Sequence, residues 1–266
     1  MPDAIFTRDG DAFVPTERAC SPWGAGLLHG GPAAGLLARA IENARPSPGM
    51  MVVRLTIDLF RPVPQEPLRV RVDTVRTGRR IHVCDATLFA GDTAVSRATG
   101  LLLQPAEVGL PESARLGGMP PPGPGGIPSR TGLGGDSVPR FPGFHSTVEV
   151  RHVAGGSGGG GSTAWVRIPC DFVEGEETSP LVRVAATSDF ANGISHIRTD
   201  SDRIGFINTD ITLYVHRPAE GEWICLQAHS GAEPYGIGII ETTVHDERGP
   251  VARAVQALLA NPRAGG

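Results

Sequence analysis

The chain contains no lysine, so all 24 of its basic residues are arginine, a compositional bias from which no function follows. Basic excess is also missing: the formal net charge is −4 with a pI near 6.1. That balance argues against non-specific nucleic-acid binding. Only four cysteines occur, Cys20, Cys84, Cys170 and Cys225, far apart and without a CxxC pair. A disulfide scaffold and metal-ligand spacing are both excluded by that pattern, leaving buried or idle thiols. No apolar run approaches the ~18 residues of a membrane span. The opening MPDAIFTRDGDAF lacks the basic-then-apolar order of a signal peptide, so a cytoplasmic location is expected. No cofactor and no metal are expected.

What is present is a repeat. Phe206 to Pro218, FINTDITLYVHRP, alternates like a strand, with Ile207, Ile211, Leu213 and Val215 apart from Asn208, Asp210, Thr212 and His216. A version of it stands at Val52 to Pro62, VVRLTIDLFRP, where Arg61-Pro62 matches Arg217-Pro218 at an offset of 156 (217 minus 61). Ser96-Arg97-Ala98 matches Ala252-Arg253-Ala254 at the same offset. Two segments in register at one offset imply a duplicated domain, and 266 residues suffice for two.

Each half reads as one helix followed by consecutive strands. From Gly30 onward Ala33, Leu36, Leu37, Ala40, Ile41 and Ala44 recur at three- and four-residue spacing. Pro32 suits the first turn, and Pro46 and Pro48 stop the helix. Strands are expected on either side of the Asp9-Gly10-Asp11 turn within Ala4–Thr16, then at Met51–Arg61, Pro67–Arg76, Ile81–Phe89 and Ala94–Leu103 as a meander. The second half is expected to place strands at His145–Val153 and Trp165–Asp171, joined by a flexible AGGSGGGGST loop. Its helix is capped by Ser179-Pro180 and ended by Gly193. Strands at Phe206–His216, Glu222–Ala228, Gly236–Val244 and Val251–Ala260 complete it. The fold class is therefore α+β, with a helix lying on a curved antiparallel sheet in each half. The expected domains are 1–104 and 144–266, joined by the Pro/Gly-rich crossover 105–143.

Asp189 draws attention because it falls on the buried stripe of the second helix, four residues after Ala185 and eight after Leu181. A carboxylate there loses hydration unless hydrogen bonds or a charge offset the loss, an arrangement common at functional sites and at loop-tethering helix ends. Gln256 interrupts an apolar strand whose copy carries Gly100, so its amide needs partners. Thr209 shares the pleat face of Ile211 and Leu213 and is expected to face Asp189, whereas Asn208 points away unless a bulge intervenes. His29-Gly30-Gly31-Pro32 opens the first helix, where exposed amides suit a carbonyl oxygen, although a simple turn with a half-buried histidine fits equally.

Taken together, HGGP at His29–Pro32, FRP at Phe60–Pro62, SDFANGISH at Ser188–His196, the HRP ending the organising strand and HDERGPVARAVQ at His245–Gln256 resemble the acyl-CoA thioesterase II family. The resemblance covers nearly the whole chain apart from the crossover. It implies a double hot-dog fold, a long helix in each domain, and an acyl-CoA substrate; from the charge and the absence of a long apolar run, no nucleic-acid or membrane partner is expected. Self-association is also implied, although no interface is readable. In that family an Asp, a hydroxyl residue and a Gln hold the attacking water. The Asp maps to Asp189 and the Gln to Gln256, while alignment on Asp210 and His216-Arg217-Pro218 puts Asn208 at the hydroxyl position. Pleat geometry favours Thr209, so both are carried. His29, Gly30 and Gly31 are the expected substrate-binding residues, and Arg79 and Arg80 are candidates for the CoA phosphates. Two alternatives stay open: a non-catalytic acyl-CoA-binding protein, and a hot-dog hydratase or dehydratase using Asp189, Asn192 and His196.

Overall fold

The computed structural model describes residues 3–22, 24–131, 142–156, 158–200 and 204–262. Within the crossover, positions 132–141 lie outside the described residues, as does Ser157 of the glycine-rich joint.

The first half contains β1 (Ala4–Asp9), β2 (Ala12–Pro15), α1 (Gly30–Asn43), β3 (Met51–Asp58), β4 (Leu68–Arg76), β5 (Ile81–Ala90) and β6 (Thr93–Leu103). A two-residue strand in the crossover, β7 (Arg130–Thr131), leads to a helical turn, α2 (Phe144–Thr147). Then come β8 (Glu149–Gly155), β9 (Gly161–Arg167), β10 (Asp171–Val173), α3 (Pro180–Ser188) and α4 (Phe190–Ile194). The chain continues through β11 (Ile204–Asn208), β12 (Asp210–Val215), β13 (Ile224–Ala232), β14 (Ile237–Asp246) and β15 (Gly249–Pro262). Among the described residues all fifteen strands join one sheet, almost entirely antiparallel, with few helices.

The four long strands of each half are not a plain meander. β4, β5 and β6 form one, but β3 crosses to pair with β6, because Leu59–Pro67 is too long for a hairpin. β12 likewise pairs with β15. The two halves meet where β3 lies antiparallel to β12, and there Thr56 stands opposite Thr212, its own counterpart at the 156-residue offset. A pseudo-two-fold axis therefore passes between these threonines. The internal registers repeat too: Cys84 faces Gly100 as Ile240 faces Gln256, and the irregularity at Leu88/Phe89 recurs at Val244/His245.

The sheet buries the inward-facing side chains of alternating positions, such as Leu55 and Ile57 on β3 and Ile211 and Leu213 on β12, beneath the helices. α1 and α3 also pack on one another. Gly31 permits the approach, since a side chain there would collide with the Ala186 carbonyl and the Phe144 ring. Gly35 plays the same part against Phe172.

Several expectations need correction. The second helix is not one long element: α3 stops at Ser188 after nine residues and α4 resumes at Phe190, with Asp189 at the joint. Gly193 lies inside α4 and does not terminate the helix. His145–Thr147 are helical, held by the Gly143 carbonyl, so the following strand starts only at Glu149. The glycine-rich joint is pinned, with Ser230 N–H donating to Gly160 O and Arg198 N–H to Gly158 O. The described part of the crossover lies against the second half, where the Trp165 indole N–H donates to Pro122 O at 2.7 Å and Arg151 to Pro124 O at 2.6 Å.

Candidate active site

The break at Asp189 has a consequence for chemistry. α1 and α3 run so that the N-terminus of α1 meets the C-terminal end of α3, and the Asp189 carboxylate sits at the start of α1. A Cβ on Gly30 would lie 2.8 Å from Asp189 Oδ1, so only glycine leaves room there. Asp189 is 6% exposed and His29 8%. Both groups are thus held in a nearly closed space.

Three donors converge on the carboxylate. His29 Nδ1 lies 2.6 Å from Oδ2, the Asn208 side-chain amide donates to Oδ1 at 2.7 Å, and the Gly31 N–H also reaches it. The Gly31 nitrogen is in addition 3.3 Å from His29 Nδ1. That ring nitrogen cannot both accept from Gly31 and donate to Asp189. At 2.6 Å from a carboxylate oxygen it is the donor, so a proton sits on Nδ1 and the Gly31 N–H serves the carboxylate. Burial alone would push the Asp189 carboxyl up; the adjacent His29, the Asn208 amide and the Gly31 N–H outweigh it and hold the group below its ordinary value. The positive end of α1 acts in the same direction.

His29 is fixed by aromatic neighbours. Its ring stacks on Phe190, with centroids 5.0 Å apart, and tilts against Phe144 at 5.5 Å. Phe190 follows Asp189 directly and Phe144 belongs to α2, so two segments besides its own hold the imidazole.

A bulge decides which polar residue of the organising stretch meets Asp189. Asn208 pairs with Leu258 and Thr212 with Val255, so one strand spends a residue more than the other over that interval. The extra residue is at Thr209, between β11 and β12. Its N–H donates to Ala257 O, its carbonyl accepts from Leu59, and the Asp210 carboxylate takes the Ala257 N–H at 2.7 Å. Inversion of the pleat at this point turns Asn208 to Asp189. The pleat argument for Thr209 assumed an unbroken strand, which the structure does not contain.

Gln256 is 1% exposed on β15. Its amide nitrogen donates 2.9 Å to the carbonyl of Ser188, left free where α3 breaks. Its Oε1 is buried and has no partner. One end of the side chain therefore holds the residue beside Asp189 while the other offers an acceptor.

The other sequence candidates fall elsewhere. Arg79 and Arg80 are exposed at the β4–β5 turn, where Arg80 O accepts from Gln104, whose side chain contacts Ser47 and Gly49 just past the C-terminus of α1. They stand at the far end of α1 from Gly30, roughly 20 Å along a 14-residue helix. Asn192 is spent on the Phe206 carbonyl at 2.9 Å, and His196 lies against Gly158 of the glycine-rich joint. Asp189, Asn192 and His196 thus form no common site. Sequence reasoning missed the His29–Asp189 contact; the one available signal was the placement of HGGP at a helix start, with no hint that the partner came from the other half.

This architecture is that of a hot-dog protein, and solved structures bear it out. A conserved protein of unknown function with hot dog fold from Alicyclobacillus acidocaldarius is 18% identical over 97% of each chain, with a TM-score of 0.71. The acyl-CoA thioesterase II TesB2 from Mycobacterium marinum is 17% identical, covering 90% of this chain and 91% of that one, with a TM-score of 0.66. The tesB protein of Mycobacterium avium subs paratuberculosis is 15% identical over 97% and 96%, with a TM-score of 0.68. At such identities the likeness establishes the fold. Comparison with curated protein sequences finds no match. The models of the acyl-CoA thioesterase N-terminal and C-terminal domains match residues 20–103 and 115–260. The chain belongs to the acyl-CoA thioesterase family.

Proposed function

We propose that the protein hydrolyses the thioester of a fatty acyl-CoA, and that Asp189, Asn208 and Gln256 hold the attacking water. The observation that carries this reading is a buried carboxylate at a helix N-terminus, with a glutamine that bonds the carbonyl of the preceding residue and keeps its own oxygen unpartnered. Water donates one hydrogen to Asp189 and the other to Gln256 Oε1. As its oxygen attacks the carbonyl carbon, Asp189 takes the proton, the C–S bond breaks, and the proton passes to the departing thiolate. With the Gly31 N–H serving Asp189 and Pro32 lacking one, the Gly30 N–H at the start of α1 is the first-turn amide assigned to the charge that develops on the carbonyl oxygen. The domain boundaries of this reading are 1–104 and 144–266, with the crossover between them.

A second reading of the base is favoured by one contact. Nδ1–H of His29 bound to Asp189 leaves Nε2 as the basic nitrogen, so the imidazole would take the water's proton and Asp189 would orient it. The pH dependence of kcat separates the two. A carboxylate base held below its ordinary value leaves kcat flat above the carboxylate range, so an inflection at higher pH would assign the proton transfer to another group.

The test is thiol release from a panel of acyl-CoA esters by the purified chain. Binding without thiol release would replace hydrolysis by the non-catalytic alternative, and loss of enoyl absorbance would replace it by hydration.

A further inference from the structure

The inner face of the second half differs from that of the first in polarity. Thr242 occupies the position of Ala86, and Gln256 that of Gly100, at the 156-residue offset. In the first half Gly100 is roofed directly by Ile41, whose methyl would collide with any Cβ there. In the second half Thr242 and Gln256 lie on adjacent strands, diagonal to each other because Gln256 faces Ile240 and Thr242 faces Ala254. Both belong to the buried, inward-pointing set of their strands, at 3% and 1% exposure. Neither the Thr242 hydroxyl nor Gln256 Oε1 has a hydrogen-bond partner. Nearby hydroxyls are satisfied, since Ser230 bonds Ser195 at 2.6 Å and Ser162 donates to Ala154 O.

Unpaired buried polar atoms are costly, so two of them at diagonal positions on one buried face, one held to the carbonyl of Ser188, mark a place for a polar ligand group. We propose that they select an acyl chain bearing a hydroxyl close to the thioester, at C3, over an unsubstituted or 3-oxo chain. This rests on the hydrolase reading for its location. A hydroxyl donates to Gln256 Oε1 and accepts from Thr242, filling both vacancies. The carbonyl has two lone pairs, so one remains for the attacking water. A 3-oxo group can accept from Thr242 but has no hydrogen for Gln256, and an alkyl chain satisfies neither. Sites that hydrogen-bond a substrate hydroxyl reject analogues lacking it because their own polar groups are then left unpaired.

The experiment compares 3-hydroxyacyl-, 3-oxoacyl- and unsubstituted acyl-CoA of equal length, by kcat/KM and, with their non-hydrolysable thioether analogues, by calorimetric Kd. The expected result is a preference of at least about tenfold for the hydroxylated chain in both measurements. Thr242→Val should bring that ratio to within about twofold, while Thr243→Val, on the opposite face of β14, should leave it unchanged. Equal Kd values in the wild type, or a ratio that survives Thr242→Val, would overturn the proposal and leave the pair as holders of an internal water. A binding preference without any turnover would instead sink the hydrolase reading and keep this one.

Discussion

Asp189→Asn isolates the charge from the shape of the site. The carboxylate accepts from His29, Asn208 and Gly31, whereas a carboxamide offers one oxygen and turns its NH2 at a donor. One buried donor is then unsatisfied, which costs about 1–3 kcal/mol. Loss of the desolvated charge offsets part of that, because an ion pair so deeply buried is itself expensive. For a chain of this size the melting temperature should fall by roughly 2–10 °C, leaving a folded protein. Turnover should drop far more. Removing the group that holds or orients the base forfeits about 100- to 10,000-fold in kcat, or about 3–5 kcal/mol of transition-state stabilisation. Thiol release from an acyl-CoA, followed colorimetrically beside a thermal melt, reads both quantities. Wild-type-like kcat in a folded Asp189→Asn protein would remove Asp189 from the mechanism under either reading of the base.

Asn208→Leu should lower kcat by about 100-fold or more while Thr209→Val changes it less than about threefold; the reverse ranking would mean that the bulge does not govern the site. Gly30→Ala forces a methyl to within 2.8 Å of the Asp189 carboxylate, so a loss of about 1–3 kcal/mol in denaturant unfolding is expected, with activity falling alongside. Asp246 offers a pH test away from the site. Burial pushes its carboxyl up, but the paired Arg217 guanidinium and the N–H groups of Glu220 and Arg248 outweigh that and hold it at about 2. Its folded value is depressed, so its contribution of about 2 kcal/mol is complete above the unfolded value near 4 and disappears as pH falls through about 2. Urea titrations of wild type and Asp246→Asn should therefore differ by about that amount at pH 7 and converge toward pH 2.

The duplication was readable because no residue was gained or lost between the matched strands. Thr56 and Thr212, Cys84 and Ile240, and Gly100 and Gln256 keep both offset and register, so short identities such as Arg-Pro sufficed to align the halves. Local periodicity placed α1 and the long strands to within a few residues for the same reason. Three features escaped it. The crossing of β3 to β6 depends on a nine-residue connection whose path is set by the sheet, not by its composition. The break of the second helix falls in Ser188-Asp189-Phe190, which contains neither proline nor glycine and is made by tertiary bonds, including Gln256 to Ser188. The bulge at Thr209 is stabilised by Asp210 capping a backbone N–H two strands of pairing away in sequence, and alternation counts cannot register it.

The same comparison explains why, among the described residues, such a cluster forms in one place although the two halves are similar. The counterpart of Asn208 is Val52 and that of Gln256 is Gly100, so the first sheet supplies neither the amide that meets the carboxylate nor the orphaned acceptor. Gly100 is moreover required where it is, because Ile41 occupies the space a larger residue would need. What the first half contributes is the other wall: His29 at the N-cap of α1 and the two glycines that let that helix end close on Asp189. Neither half could assemble the carboxylate's three donors alone, since His29 and Gly31 come from one and Asn208 from the other. In this arrangement the first half serves as a packed support whose helix start closes on the buried carboxylate of its twin.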